Sequence, residues 1–377
     1  MSWEKVKLLK CCLSISDGDH QPPPKAEYGV PFVTIADIDQ SNQFDFSNTM
    51  FVPQEYYDQL DAKRKAQVGD VLYSVVGSLG IPVLIKEYLP FVFQRHIAIL
   101  RPNEKLIPAF LYYTMLSKEF YAKADAVAIG AAQRTISLNA LRNIEISLPP
   151  VDVQEKIVQN LSAYDDLVEN NQKQIRLLEE AAQRLYKEWF VELRFPGHEN
   201  TPIHDGVPEG WERKTVTDLL EIKYGRDHKA LCEGTIPVYG SGGIMRRVKP
   251  ILHSGDSVLI PRKGSLNNIL YVTGDFWTID TMFYSIPRIP NIVKYIYLFL
   301  SKLDMYSFNI GAAVPSMTVK ILNGISLLLP PANILVHFEV AASALFEKKR
   351  LLEVQNGKAI QARDCLLPKL MSGELTI

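Results

Sequence analysis

Gln133, Arg134 and Thr135 stand together directly after Gly130-Ala131-Ala132. Gln and Arg present paired hydrogen-bonding groups that match the edges of adenine and guanine two bonds at a time, and Thr adds one more polar contact. The competing reading is a turn made polar for solubility or for capping a domain. Asp17-Gly18-Asp19-His20-Gln21-Pro22-Pro23-Pro24-Lys25 is a polar, turn-rich loop. It offers His20, Gln21 and Lys25 as contacts, or is a plain surface loop. Arg95 and His96 flank an expected strand, where His96 serves equally well as a satisfied core histidine. Tyr224-Gly225-Arg226-Asp227-His228-Lys229 mirrors the first loop in place and adds Arg226 and Lys229. Gly240-Ser241-Gly242-Gly243 permits close backbone approach to a ligand, with Ser241 as its polar member. Arg262-Lys263-Gly264-Ser265 is a basic turn of the kind that binds phosphate oxygens, through Arg262, Lys263 and Ser265.

Covalent chemistry is harder to place. No G-x-x-x-x-G-K-[ST] loop occurs, and the Gly-rich pieces lack the strand–GxGxxG–helix setting of a nucleotide cradle. The Pro-Pro pairs at 149–150 and 330–331 follow leucine, so no N-P-P-[YF] or D-P-P-[YF] segment is available for base methylation. Cys11, Cys12, Cys232 and Cys365 lack metal-ligand spacing and read as reduced thiols, so no metal site is expected. Glu55, Asp58, Asp61 and Lys63 form a nuclease-like cluster or a solvated helix face.

With 41 basic and 42 acidic residues the net charge is −1, against the basic footprint usual for a nucleic-acid binder. Acidic helices can mask basic loops in such an average. No apolar run approaches the ~18 residues that span a bilayer, and with its short apolar stretch interrupted by lysines the N-terminus is not expected to be a signal peptide. A cytoplasmic location without a membrane partner is the expectation.

The elements that must position these groups come in two copies. Gly130-Ala131-Ala132 recurs as Gly311-Ala312-Ala313, and Leu148-Pro149-Pro150 returns as Leu329-Pro330-Pro331 at the same interval. Gly69-Asp70-Val71-Leu72 resembles Gly255-Asp256-Ser257-Val258-Leu259, and Trp3-Glu4 matches Trp211-Glu212, at longer intervals. The first copy therefore carries roughly 27 extra residues in its middle, as when insertions fall in loops. Val314 and Pro315 replace Gln133 and Arg134, so the copies are built alike but furnished differently.

In the first copy, short strands are expected at 29–38, 68–76, 83–85 and 97–100, with a helix over 108–123. In the second, strands are expected at 236–239, 257–260, 269–273 and 282–286, with a helix over 293–303. After Pro150, Asp152 is a plausible N-cap with Glu155 three positions on. Ile157, Leu161, Tyr164, Val168, Asn171, Ile175, Leu178, Ala182, Leu185 and Trp189 then alternate by four and three, a heptad seam. Phe338, Leu345, Leu352, Ala359 and Leu366 follow at sevens, although Lys349 and Asn356 weaken the alternate positions. Each helix is either a solitary amphipathic core helix or half of a pair, and the heptad length favours pairing. A helix from Asp152 to Trp189 would span roughly 50 Å, comparable with or somewhat above one turn of B-DNA, ~34–36 Å.

The fold class is therefore α+β: two similar mixed α/β domains separated by two long antiparallel helices forming a coiled-coil-like spacer, with a pseudo-two-fold internal repeat. The expected boundaries are 1–150 for the first domain, 151–200 for the central helix and linker, 201–331 for the second domain, and 332–377 for the C-terminal helix and tail.

Across essentially its whole length the chain resembles the specificity subunits of Type I restriction–modification systems. The resemblance is carried by LPP-x-x-x-QE-x-I at 148–157, RLYKEWF at 184–190, RFPGHE at 194–199, VPEGW at 207–211 and LLPKLMSGEL at 366–375. Leu335 and Val336 depart from it, standing where the first copy has Gln154 and Glu155. The resemblance implies a non-catalytic chain that reads double-stranded DNA as a bipartite, asymmetric target. It also implies two modification (methyltransferase) subunits that bind S-adenosylmethionine, and restriction subunits that use ATP and Mg for translocation and cleavage. It implies no cofactor in this chain. The alternatives are a single-chain restriction enzyme or methyltransferase, and a coiled-coil scaffold without a nucleic-acid role.

Overall fold

A computed structural model describes residues 3–39, 41–131, 133–309 and 314–375. Ala132 and the Gly311-Ala312-Ala313 landmark lie outside the described residues. The chain divides into two compact units, Met1–Asn170 with Gln355–Ile377, and Asn171–Val354. The boundaries between them fall inside the two long helices, Val151–Tyr186 and Ala332–Ser372.

The first unit closes on itself by pairing Glu4–Lys7 antiparallel with Glu145–Leu148. Its central antiparallel sheet runs Cys12–Asp17, Ile97–Pro102, Val71–Ser74, Pro82–Leu84. A second sheet places Val30–Val33 between Met50–Val52, antiparallel, and Val92–Phe93, parallel. The second unit repeats the plan. Glu212–Thr215 pairs with Ser326–Leu329, and the central sheet runs Leu220–Tyr224, Met282–Pro287, Ser257–Pro261, Leu270–Val272. Its second sheet likewise sets Glu233–Gly240 between antiparallel Gly243–Val248 and parallel Asp275–Thr278. The expected repeat is thus present, with one further strand, His253–Ser254, at the edge of the second unit's second sheet, and the fold is α+β.

The central strands are buried on both faces, Val71–Ser74 and Ser257–Pro261 completely, which explains their continuous rather than alternating apolar pattern. The helix expected over 108–123 is instead two, Pro108–Leu116 and Lys118–Ala126. Ser117 takes an extended backbone between them, and its Oγ accepts the Phe120 amide at 3.2 Å as an N-cap. The strand expected at 29–38 ends at Val33 and gives way to a 3-10 turn at Ile35–Asp37, capped by Thr34.

Each unit holds its own helix pair. In the first, Ile157 and Leu161, early in the first long helix, share a core with Leu367, Leu370 and Met371, late in the second. In the second, Ala182 and Tyr186, late in the first helix, share a core with Phe338 and Ala342, early in the second. Within each unit the pairing is therefore antiparallel. Phe190, turned in by a π-helical turn at Lys187–Val191, lies 4.7 Å from Phe338 and 4.6 Å from Tyr295, ring centre to ring centre. Edge-on contacts of this type add ~0.5–1.5 kcal/mol each beyond their buried area. Val168, Asn171, Leu352 and Ala359 are buried, whereas Tyr164, Ile175, Leu178, Leu185, Leu345 and Leu366 are half-buried.

The first long helix begins at Val151, so Asp152 lies inside its first turn rather than at its cap. The Pro150 carbonyl accepts the amides of Val153 and Gln154. Gln154 is fully buried: its Oε1 accepts the Ile107 amide and its Nε2 donates to the Lys105 and Pro149 carbonyls, each at 2.9 Å. In the second unit the corresponding Leu335 is buried in the apolar core. A polar pin in one copy is replaced by hydrophobic burial in the other.

Candidate nucleic-acid interface

The same backbone frame carries the candidate residues in each unit. In the first, the Gly18 amide bonds to Ile97 O (3.2 Å), Asp19 N to Phe93 O (2.8 Å), and Val75 N to His96 O (2.8 Å). Gly77 N then bonds to Arg134 O (3.0 Å) and Ile136 N to Val75 O (2.9 Å). In the second, Gly225 N bonds to Met282 O (3.2 Å), Arg226 N to Thr278 O (2.8 Å), and Arg262 N to Thr281 O (2.8 Å). Gly264 N bonds to Pro315 O (3.1 Å) and Met317 N to Arg262 O (2.9 Å). Isolated bridges join Val76 to Thr135 and Lys263 to Ser316. The loops are pinned tightly: a Cβ on Gly18 would stand 2.2 Å from Phe93 O, and one on Gly225 would stand 2.0 Å from Ile279 O. These bonds match residue for residue, so Asp19 corresponds to Arg226, Val75 to Arg262, Arg95 to Asp280, and Arg134 to Pro315.

In the first unit the frame surrounds a cleft of about 320 Å³ lined by Asp17, Val75, Val76, Arg95, His96, Gln133, Thr135, Ile136, Ser137 and Leu138. Arg95, Gln133 and Thr135 are thereby brought together. His20 joins them through a 2.8 Å contact from Nε2 to the Asp17 carboxylate. His96 is half-buried in the wall, and burial, aided by the Arg95 charge, lowers its pKa from the ordinary histidine value. Gln21 and Lys25 are exposed on the same loop but do not line the cleft; the Gln21 amide donates to Asp19 Oδ1 at 3.2 Å. Arg134 also stays out of the lining. Its guanidinium pairs with the Asp125 carboxylate at 2.8 Å and donates to the Asp125 carbonyl. Asp19 is buried against Tyr56 Oη and Arg64, a structural role.

In the second unit the basic turn and the glycine-rich turn meet. Ser241 Oγ lies 2.8 Å from where a Gly264 Cβ would be, and Asn268 Nδ2 donates to Ser241 O at 2.8 Å. Lys263 and Ser265 are exposed. Arg262 lies over the Tyr224 ring, 5.4 Å from its centre, and donates from Nη1 to Asp280 O at 3.1 Å. Arg226 is exposed, with its carbonyl held by Trp277 Nε1 at 3.0 Å. Lys229 is exposed on the same loop.

Three roles escape a reading of residue types alone: Asp17 as the cleft's acceptor, Asp125 as the partner of Arg134, and Tyr224 as a platform for Arg262. Asp17 and Tyr224, each directly before a pinned glycine, had a local signal; Asp125 had none. In the nuclease-like cluster, Asp61 accepts the Lys63 amide and Asp58 accepts from Gln54 Nε2, both at 2.9 Å, which are local structural bonds. Among the described residues no group of His, Cys, Asp and Glu is arranged to hold a metal ion, and no helix is long and apolar enough to cross a membrane.

The family model described as Type I restriction modification DNA specificity domain matches residues 13–180 and 208–343. The MjaIX specificity subunit of Methanocaldococcus jannaschii is 26% identical over 82% of this chain and 78% of its own length. The HindI specificity subunit of Haemophilus influenzae is 20% identical over 92% of this chain and 94% of its own. The crystal structure of the S subunit of the Type I system from M. genitalium matches with a TM-score of 0.58 at 18% identity, covering 98% of this chain and 96% of that one. The chain belongs to the family of Type I restriction–modification specificity subunits.

Proposed function

We propose that each unit reads one half-site of a bipartite, asymmetric DNA target. One observation carries this reading: an identical hydrogen-bonded frame holds unlike side chains, Arg95, Gln133 and Thr135 on one side and Arg226, Arg262 and Lys263 on the other. Equal frames give equal approach to a duplex, and unlike side chains read unlike bases. Of the remaining candidates, His20 joins the first reader. Gln21 and Lys25 flank it, while Lys229, Ser241 and Ser265 flank the second as backbone contacts.

The chain's task in this account is recognition and assembly, with two modification subunits docked on it. Those subunits bring S-adenosylmethionine, and restriction subunits bring ATP and Mg. Supporting this division, the relatives are named as specificity subunits of restriction enzymes. The long helices set the spacer between half-sites. With a net charge of −1, tight DNA binding is expected to require the partners, which salt-dependent binding with and without them tests. The cytoplasm, where such DNA lies, is the proposed location.

Methylome sequencing of cells with and without the gene tests the function. A bipartite adenine-methylation motif disappears on deletion. Persistence of every such motif, or methylation by the purified chain alone, contradicts the reading.

A further inference from the structure

We infer that Arg262 reads a guanine edge in the second half-site, and that Tyr224 is its positioning residue. The inference rests on the chain being a DNA-reading subunit and goes beyond it by assigning a base type to one side chain. A basic turn by itself suggests phosphate binding, which needs charge but little orientation. Arg262 is oriented. Its backbone is clamped on both sides, through N to Thr281 O and through O to Met317 N. Its guanidinium lies over Tyr224, and Nη1 is anchored on Asp280 O.

A planar guanidinium fixed by a ring and one carbonyl keeps its remaining N–H donors in a set direction. Little conformational freedom is then lost when they engage a ligand. Two parallel donors with fixed spacing are what the O6 and N7 acceptors of guanine require. Lys263, the adjacent exposed cation with no such platform among the described residues, is suited to the neighbouring phosphate.

The first unit cannot make this contact. Its residue at the corresponding position is Val75, only 3% exposed, and the residue corresponding to Tyr224 is Asp17, which holds His20. The two half-sites therefore differ at this position by construction.

The test is methylome sequencing of cells that carry the chain with its native partner subunits, comparing wild type with Arg262→Lys, Arg262→Met, Tyr224→Phe and Tyr224→Leu. Both Arg262 variants are expected to lose discrimination at one G·C position of one half-site, roughly 10- to 100-fold, with the other half-site unchanged. Tyr224→Phe keeps the wild-type motif, and Tyr224→Leu relaxes the same position. A wild-type motif in Arg262→Lys, with evenly weaker methylation in Arg262→Met, makes Arg262 a phosphate contact and overturns the inference. An unchanged motif in both variants, or loss of all methylation in both, also overturns it, the latter because a base contact relaxes a position without abolishing binding. Absence of any bipartite motif in wild-type cells sinks the underlying function and the inference with it.

Discussion

Arg134 and Pro315 occupy the same place in the two units, each offering its carbonyl to the glycine that turns the loop, Gly77 at 3.0 Å and Gly264 at 3.1 Å. Only the backbone is common to the two roles. Pro315 has no polar side chain, and the Arg134 guanidinium is engaged by Asp125. The neighbouring side chains therefore carry the difference between the two sites.

The first cleft ranks its own residues. Gln133→Ala and Arg95→Ala should each relax one position of a half-site, at a cost of ~1–3 kcal/mol in discrimination. Arg134→Ala should leave the motif unchanged and shift stability by no more than about 1 kcal/mol, as for an exposed ion pair. Methylomes and denaturant titrations of the three variants separate these effects, and a relaxed motif in Arg134→Ala alone would reverse the ranking.

A partly buried cluster joins the two long helices within the first unit. Arg363 Nη1 meets Asp165 Oδ1 at 2.5 Å, and Tyr113 Oη donates to Asp165 Oδ2 at 2.7 Å. Burial would lower the Arg363 pKa, but Asp165 and Asp364 more than offset it and hold it above the ordinary range. Burial, then Asp165, pushes the Tyr113 hydroxyl up. Arg363→Met leaves Asp165 with its Tyr113 hydrogen bond but without its cation, and should destabilise the protein by about 1–3 kcal/mol. A loss under ~0.5 kcal/mol in urea unfolding would remove the cluster's structural role.

The cysteines divide by burial. Cys11 and Cys12 are buried, and burial pushes the Cys12 thiol up to about 12. Iodoacetamide reacts with thiolates, so at pH 8 it should label the exposed Cys232 and Cys365 and leave Cys11 and Cys12 until the chain is denatured. Mass spectrometry of the labelled peptides reads the outcome; early labelling of Cys12 would contradict this burial.

A seven-residue helical insert after Leu178 preserves the heptad phase of the first long helix. If the helices set the reach, the insert, with a matching one in the second helix, should change the length of the methylated motif's spacer and leave both half-sites unaltered. Changed half-site bases would count against the helices as a spacer.

Much of the frame is legible in the residues. The returning Leu-Pro-Pro, the heptad seam and the buried Val/Ile/Leu strands are periodic or repeated signals, and all lead to elements that form. The pairing of Glu4–Lys7 with Glu145–Leu148 is not legible, because nothing local couples strands so distant in the chain. Nor is the break at Ser117, where one capping hydroxyl interrupts a helical spacing of apolar residues that resumes at Phe120. For the site, residue type pointed to Arg134 and Arg262 alike. What distinguishes them is the partner each finds, Asp125 or Tyr224, and that is set only by tertiary folding.

The most direct measurement is an exchange of the first domain, residues 1–150, for that of a related specificity subunit, followed by methylome sequencing. Two independent readers on matching frames predict that one half-site changes while the other half-site and the spacer stay as they were. A motif that changes in both half-sites, or in neither, would contradict the account.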